Sequence, residues 1–528
     1  MSARKFLKPN VLVEPLVNRW HAWSYIISPA TAAMYTTGSH YQMLRSFAAN
    51  PRIHINALKN PEMAGGPYID LGLDRVDEIK QLLEWTRTEQ AHLFELSDAV
   101  KALHQLLASE ARGGSLEPLY AKVPEPLRGY VELVYDLDNQ ATIRFLEGLL
   151  YHSPYYRESS QSLAFSLIEK DTRSYVLSTP RLLDEHTLHK VIPFRDEALD
   201  LFFGARYEPR DPDELAEALA IGPDQRALFD SFFTTTAPPA PNTYRGEGVR
   251  CRYFGHACVL VESDAVNLLF DPVLTHEHHS DMSRYTMEDL PDHIDYVFIT
   301  HNHGDHCKLE TLLPLRGRIG QIIVPKSCGG GLQDPSLKMM FEAIGFPSVR
   351  ELDEMERLEI ADGAVTGLPF FGEHGDLNIR SKMGFHVSLK GRSLMLVADS
   401  NNFEPQLYEH FNRIFGSVDA LFLGMECDGA PLSWPYGPLL PKPLPRKLDQ
   451  ARRIDGSNFE KGFDLVKLTD SRRVFIYAMG QEPWLIHLTS VPYSETSRPH
   501  LESEKLIQAC IDTGIPAERL CGCKEFFL

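Results

Sequence analysis

Tyr296-Val-Phe-Ile-Thr-His-Asn-His-Gly-Asp-His-Cys307 decides how this chain is read. The apolar run Val297-Phe298-Ile299 stops at Thr300. His301, His303, Asp305 and His306, four side chains able to hold a metal, follow at once. The pattern is that of a buried strand delivering a ligand-bearing loop. Two histidines two apart in an extended loop aim their imidazoles at one ion. The adjacent aspartate and histidine then turn towards a second ion close by, and Gly304 permits the bend. The plain alternative is a polar loop with accidental histidines. Such a density of ligand types directly behind a buried strand argues against it.

Outward from this stretch, the 528 residues exceed one ordinary domain, and 43% hydrophobic residues supply a real core. A net charge of −19 argues against an extended nucleic-acid or anionic-membrane surface. No apolar run approaches a membrane span, and Met1-Ser-Ala-Arg-Lys-Phe lacks the apolar core of a secretory signal. All eight cysteines follow residue 250 at irregular spacing, which suits a reducing cytoplasm better than a disulfide framework. Cys521 and Cys523 are read as surface thiols. Residues 1–233 read as an N-terminal mixed α/β domain, with helical periodicity over 74–110, a further helix over 124–151, and strands at 164–168 and 175–177. The proline-rich stretch 234–247 reads as a linker, and 248–528 as the catalytic domain. His276-Glu-His-His279 is expected near the mouth of the site, and His256 is ambiguous.

The motif His-x-His-x-Asp-His resembles that of the metallo-β-lactamase superfamily, from about Gly248 to Tyr493. The resemblance implies an αββα sandwich with two metals at one edge. Leu268-Leu-Phe-Asp271, Phe371-Gly-Glu373-His374-Gly, Leu396-Val-Ala-Asp399 and Trp484-Leu-Ile-His487 match its other motifs in order. Glu373 and His374 compete for one ligand place. With His374 the set is the hydrolytic, zinc-favouring one. With Glu373, one metal has His301, His303, Glu373 and Asp399, and the other Asp305, His306, Asp399 and His487. That balance of carboxylate and imidazole suits iron and dioxygen.

The order Thr-His-Asn-His-Gly-Asp-His, Gly-Glu-His-Gly-Asp and Val-Ala-Asp-Ser, with the long N-terminal region, is similar to the diiron β-hydroxylases of the chloramphenicol-biosynthesis type. The resemblance covers the whole chain. It implies His301, His303, Asp305, His306, Glu373, Asp399 and His487 as iron ligands. It also implies two irons, dioxygen as cosubstrate and an external two-electron reductant. The implied activity is β-hydroxylation of an amino acid held as a thioester on a thiolation domain of a nonribosomal peptide synthetase. The N-terminal domain is implied in homodimer formation and carrier docking.

Glu426 follows the apolar run ending at Gly424 and is expected to hold a ligand histidine in place. Lys442, Arg446, Lys447, Arg452 and Arg453 form a basic cluster suited to an acidic carrier. The competing class is a zinc-dependent hydrolase of an ester, lactone or phosphodiester on the same fold. A non-catalytic scaffold would have lost ligands, and this chain keeps them.

Overall fold

The computed structural model describes residues 4–528. Its catalytic half is two stacked seven-stranded sheets. The first runs, edge to edge, through Lys524–Phe527, Arg250–Tyr253, Val259–Glu262, Asn267–Phe270, Ile294–Phe298, Ile319–Pro325 and Val349–Leu352. The second runs through Arg357–Ile360, Gly363–Leu368, Gly384–Leu389, Arg392–Leu396, Ala420–Gly424, Val474–Tyr477 and Ala517–Arg519.

Period-two alternation divides each strand between two cores. Val259, Val261, Leu268, Phe270, Phe298 and Ile323 face inward, against Val365, Phe385, Val387, Leu396, Phe422 and Phe475 of the second sheet. Phe270 stacks on Phe298 at 4.8 Å, and Phe385 meets Phe298 edge-on at 5.1 Å. The alternate residues Leu421, Leu423, Val474 and Ile476 face outward, under the helices Gln406–Phe415, Phe459–Leu468 and Arg498–Asp512. Leu260, Leu269, Val297 and Ile322 face the other way and share one continuous core with the N-terminal half. The result is the αββα sandwich, with the N-terminal half packed against one of its outer layers.

That N-terminal half holds the antiparallel sheet Trp20–His21, Val11–Val17, Gln161–Leu167 and Leu188–Val191, and the helices Val76–Glu89 and Ala91–Glu110. The expected helix over 124–151 is instead a short turn followed by the hairpin Val131–Tyr135/Ala141–Phe145. Val131 and Leu133, then Ile143 and Phe145, are buried in alternation, and Asn139 turns the chain with φ +56°. The spacing of apolar residues there has period two, which the helical reading overlooked. Residues 175–177 form no strand.

Phe233–Thr234 closes the N-terminal half by pairing with Phe6–Leu7, and no helix or strand occurs from 235 to 249. This stretch is nonetheless anchored. Arg250 donates to the Asn242 side chain and carbonyl, at 2.9 and 2.8 Å, and Arg250 and Arg252 both grip the fully buried Glu262.

One contact between the halves bears directly on the metal loop. Trp23, 2% exposed, packs closely against Gly304, and Ser24 bonds the Asn302 side chain. A Cβ at position 304 would overlap the Trp23 ring. Gly304 has no left-handed torsion, so close approach, rather than the bend, is what requires glycine there. Gly304→Ala is expected to displace Trp23 and destabilise the protein by about 1–3 kcal/mol, the usual cost of overpacking. Denaturant unfolding followed by tryptophan fluorescence measures this.

Candidate metal centre

Strand 294–298 ends beside strand 267–270, its parallel neighbour, and each delivers polar residues to the same edge. Asp271, at φ +39° and 1% exposed, accepts from the Thr300 N–H at 2.7 Å, the Thr300 hydroxyl at 2.6 Å and His306 Nδ1–H at 2.8 Å. His301 Nδ1 in turn donates to Thr300 Oγ1 at 3.0 Å. These bonds set both tautomers, so that His301 and His306 present Nε2 lone pairs inward. Among the described residues, His301 Nε2, His306 Nε2 and Asp399 Oδ1 are buried without hydrogen-bond partners. His306 Nε2 lies 3.0 Å from Asp399 Oδ2, and His301 Nε2 lies 3.7 Å from it. Unpartnered lone pairs buried together cost several kcal/mol, and a cation is what relieves them.

Among the described residues, four groups of side chains are spaced to hold an ion. One, of Glu14, His21 and Glu310, lies in a polar network between the halves. The other three lie here: His301, His303 and Glu373; His301, His306 and Asp399; and His256, Asp305 and His306. The sets share His301 and His306, so two adjacent positions are defined, with Asp399 beside the histidines common to both. Burial pushes the His301 imidazole well below its ordinary pKa, aided by the neighbouring histidines. Burial opposes charge on His306 as well, but Asp399 and Asp271 overcome it and hold the ring well above. For Asp305 burial is likewise outweighed, here by His256 and His306, and its carboxyl lies well below the usual range.

Glu373 enters this cluster through its backbone. Gly372, Glu373, Gly375 and Asp376 all have positive φ, and +70° at Glu373 is a strained value for a side chain of that size. The turn buries its carboxyl, whose Oε1 lies 2.6 Å from His303 Nδ1. Burial raises the carboxyl to about 7 against the pull of His303. His374 is engaged differently. The Tyr436 hydroxyl lies between two rings, 3.0 Å from His303 Nε2 and 2.6 Å from His374 Nδ1. His374 Nε2 is buried beside the same histidines without a hydrogen-bond partner, so this ring stands next to Glu373 as a second donor at that place.

The structure corrects three readings. His487, expected as the last ligand, lies in a separate buried polar network. Its Nε2 meets Arg173 and Lys308 Nζ, the latter at 3.3 Å. Both cations also hold Glu310, Arg173 with bonds of 2.9 and 3.1 Å. The motif Trp484–His487 forms a tight helical turn under the N-terminal half, which carries the imidazole away from the cluster. His256 stands in the corresponding place. At φ +50°, it accepts at Nδ1 from the Gly480 N–H and donates from Nε2 to Asp305, both at 3.2 Å. The sequence signal was Gly255-His-Ala immediately after a strand. Glu426 holds no histidine; its Oε2 accepts from the Tyr493 hydroxyl. His276-Glu-His-His279 is not at the mouth, since His278 and Arg284 pair with Asp171 of the N-terminal half.

A cavity of about 970 Å³ opens over the cluster, with His303, Asp305, Glu373 and Asp399 on its floor. The N-terminal half supplies Trp23, Tyr25, Tyr35 and Tyr175 to its wall, while Arg446 and Arg453 line it farther along the chain.

Fold and cluster together define a dinuclear metalloenzyme on the metallo-β-lactamase sandwich. The profile of the diiron non-heme beta-hydroxylase N-terminal domain matches residues 6–238, and that of the beta-lactamase superfamily domain matches 266–429. The chain is 37% identical over 525 residues to the 4-amino-L-phenylalanyl-[CmlP-peptidyl-carrier-protein] 3-hydroxylase of Streptomyces venezuelae, covering 98% of each. The crystal structure of CmlA, a diiron beta-hydroxylase from the same organism, superposes with a TM-score of 0.93 at 36% identity, covering 100% of both chains. A mutant of that enzyme gives 0.91 at 36% identity, covering 99% of this chain and 100% of the other. The chain belongs to the diiron non-heme β-hydroxylase family.

Asp271→Asn is expected to weaken metal binding about 10- to 100-fold, because it loosens His306 and Thr300 together. His487→Gln is expected to leave metal content unchanged while lowering the unfolding temperature. Equilibrium dialysis with elemental analysis, alongside calorimetry, separates the two outcomes.

Proposed function

We propose that this protein is a dioxygen-dependent diiron monooxygenase that hydroxylates the β-carbon of an amino acid carried as a thioester on a thiolation domain. One iron would be held by His301, His303 and Glu373 and the other by Asp305 and His306, with Asp399 beside His301 and His306. His256 steadies Asp305, and Asp271 steadies His306. The observation that carries this reading is the Glu373 carboxylate turned into the cluster, 2.6 Å from His303 Nδ1. A carboxylate in that place moves the donor set away from the imidazole-rich hydrolytic one and towards iron.

When bound, the iron pair supplies the activation of dioxygen, in which an external reductant gives two electrons, one oxygen atom enters the C–H bond and the other leaves as water. The chain's own part is positioning and exclusion. Trp23, Tyr25, Tyr35 and Tyr436 wall the floor of the cavity from bulk water. The long cavity suits a pantetheine arm reaching in from a carrier domain. The basic cluster divides in two. The Arg452 guanidinium donates to the Gly375 carbonyl at 2.8 Å and supports the Glu373 turn. Arg446 and Arg453 line the cavity and are suited to the arm's phosphate. A homodimer belongs to the same reading, as the family resemblance implies.

Protein produced in iron-replete and in zinc-replete media is expected to be active only with two irons per chain, consuming oxygen only with loaded carrier and reductant. Two zincs with hydrolysis of the thioester in the absence of oxygen would overturn the reading. Reversing both Arg446 and Arg453 to glutamate is expected to raise KM for the carrier-bound substrate about tenfold or more, with iron content unchanged. Steady-state kinetics checks this, and an unaltered KM removes the phosphate role.

A further inference from the structure

Hydroxylation at a β-carbon places a constraint on the site that the metal ligands do not meet. The reacting carbon is one bond from Cα, which carries the amino group of an aminoacyl thioester. Wherever the β-carbon meets the cluster, an ammonium is therefore buried beside it. An ammonium buried without a partner costs several kcal/mol, so the wall must offer an anion.

Six acidic side chains line the cavity: Glu62, Asp305, Glu373, Asp399, Glu426 and Asp428. Asp305, Glu373 and Asp399 belong to the metal cluster. Glu62 and Asp428 are solvent-exposed, and Asp428 lies 3.6 Å from the Arg453 guanidinium. Glu426 remains. It leaves the end of strand Ala420–Gly424, the strand that packs against Asp399: a Cβ on Gly424 would come within 2.8 Å of Asp399 Oδ1. Tyr493 closes off Oε2, while Oε1 is buried with no hydrogen-bond partner. No Arg, Lys or His pairs with this carboxylate among the described residues. Burial raises its pKa well above the ordinary range, against the Tyr493 bond and with the charges of Asp399, Asp305 and Glu373 adding to it. The chain thus keeps a half-satisfied carboxyl next to the reacting centre, although an apolar residue or an amide would fill that space at lower cost.

We infer that Glu426, held by the Tyr493 hydroxyl, is the subsite that receives the α-ammonium of the aminoacyl thioester and so directs the β-carbon to the metal cluster. The inference rests on the thioester reading above. It makes Glu426 a specificity residue for amino acids as a class, whatever their side chain. A carboxylate–ammonium hydrogen bond in a desolvated wall is among the stronger polar contacts a protein makes, and its direction orients Cα as well as anchoring it.

The test uses the full-length, iron-loaded protein under nitrogen. Because Trp23 and Trp434 line the cavity, tryptophan fluorescence reports occupancy. A panel of aminoacyl-pantetheine thioesters, 4-amino-L-phenylalanyl included, is titrated first. The tightest binder is then compared with its α-deamino counterpart on wild type, Glu426→Gln and Tyr493→Phe. Wild type is expected to favour the amine about 10- to 100-fold, the worth of one hydrogen bond between charged groups. Glu426→Gln removes that preference and leaves the α-deamino affinity within about twofold. Tyr493→Phe reduces the preference in part, and iron content stays the same in all three proteins. If Glu426→Gln keeps the preference, or weakens both thioesters alike, the subsite is overturned. If no thioester binds wild type at all, the thioester reading itself falls and takes the subsite with it.

Discussion

The site depends on one buried carboxylate. Asp271 ends a strand, turns through a left-handed backbone, and accepts three hydrogen bonds: two from Thr300 and one from His306. Through Thr300 it also governs His301. Two neighbouring parallel strands are thereby joined at their ends, and the lone pairs of two histidines are set by a residue that touches no metal. A loop with several rotatable imidazoles becomes a preorganised cage only because its tautomers are chosen beforehand, which is the general condition for a metal site that stays in place during turnover.

The legible parts of the chain were those governed by short-range pattern. The strand before His301, the loop after it and the strands ending at Asp271 and Asp399 all follow from apolar runs that stop at polar residues. The helical stretch 74–110 follows from its spacing, although the chain breaks at Gln90 into the helices 76–89 and 91–110. What escaped depends on distance. His487 has the right neighbours in sequence, but its place is decided by Arg173 and Lys308, of which the former comes from the other half of the chain. His256 gave only Gly-His-Ala, and its importance rests on a backbone N–H at Gly480, more than two hundred residues away. The rivalry of Glu373 and His374 was likewise beyond sequence, since the turn that buries both depends on left-handed torsions at Gly372, Glu373, Gly375 and Asp376. A hairpin replaced the helix over 124–151 because both periods fit so few apolar residues, and the turn at Asn139 settled the matter.

The two halves of the protein are less separate than composition suggests. The proline-rich segment is pinned by Arg250 and Arg252, a single core runs through the boundary, and Trp23 and Ser24 rest on the metal loop. The sandwich supplies ligands and the N-terminal half supplies much of the aromatic wall. The same arrangement explains the buried polar network around Glu310, Arg173, Lys308 and His487: it begins two residues beyond His306 and reaches across the interface.

The contact between Trp23 and Gly304 spans about 280 residues of chain. Domains form as they leave the ribosome, earlier segments ahead of later ones, and distant pairings are the slow ones. The tryptophan that covers the ion-binding loop is therefore translated long before the loop exists. Sealing of the cage belongs to the late, long-range phase of folding, when a newly made glycine slides beneath an indole already present.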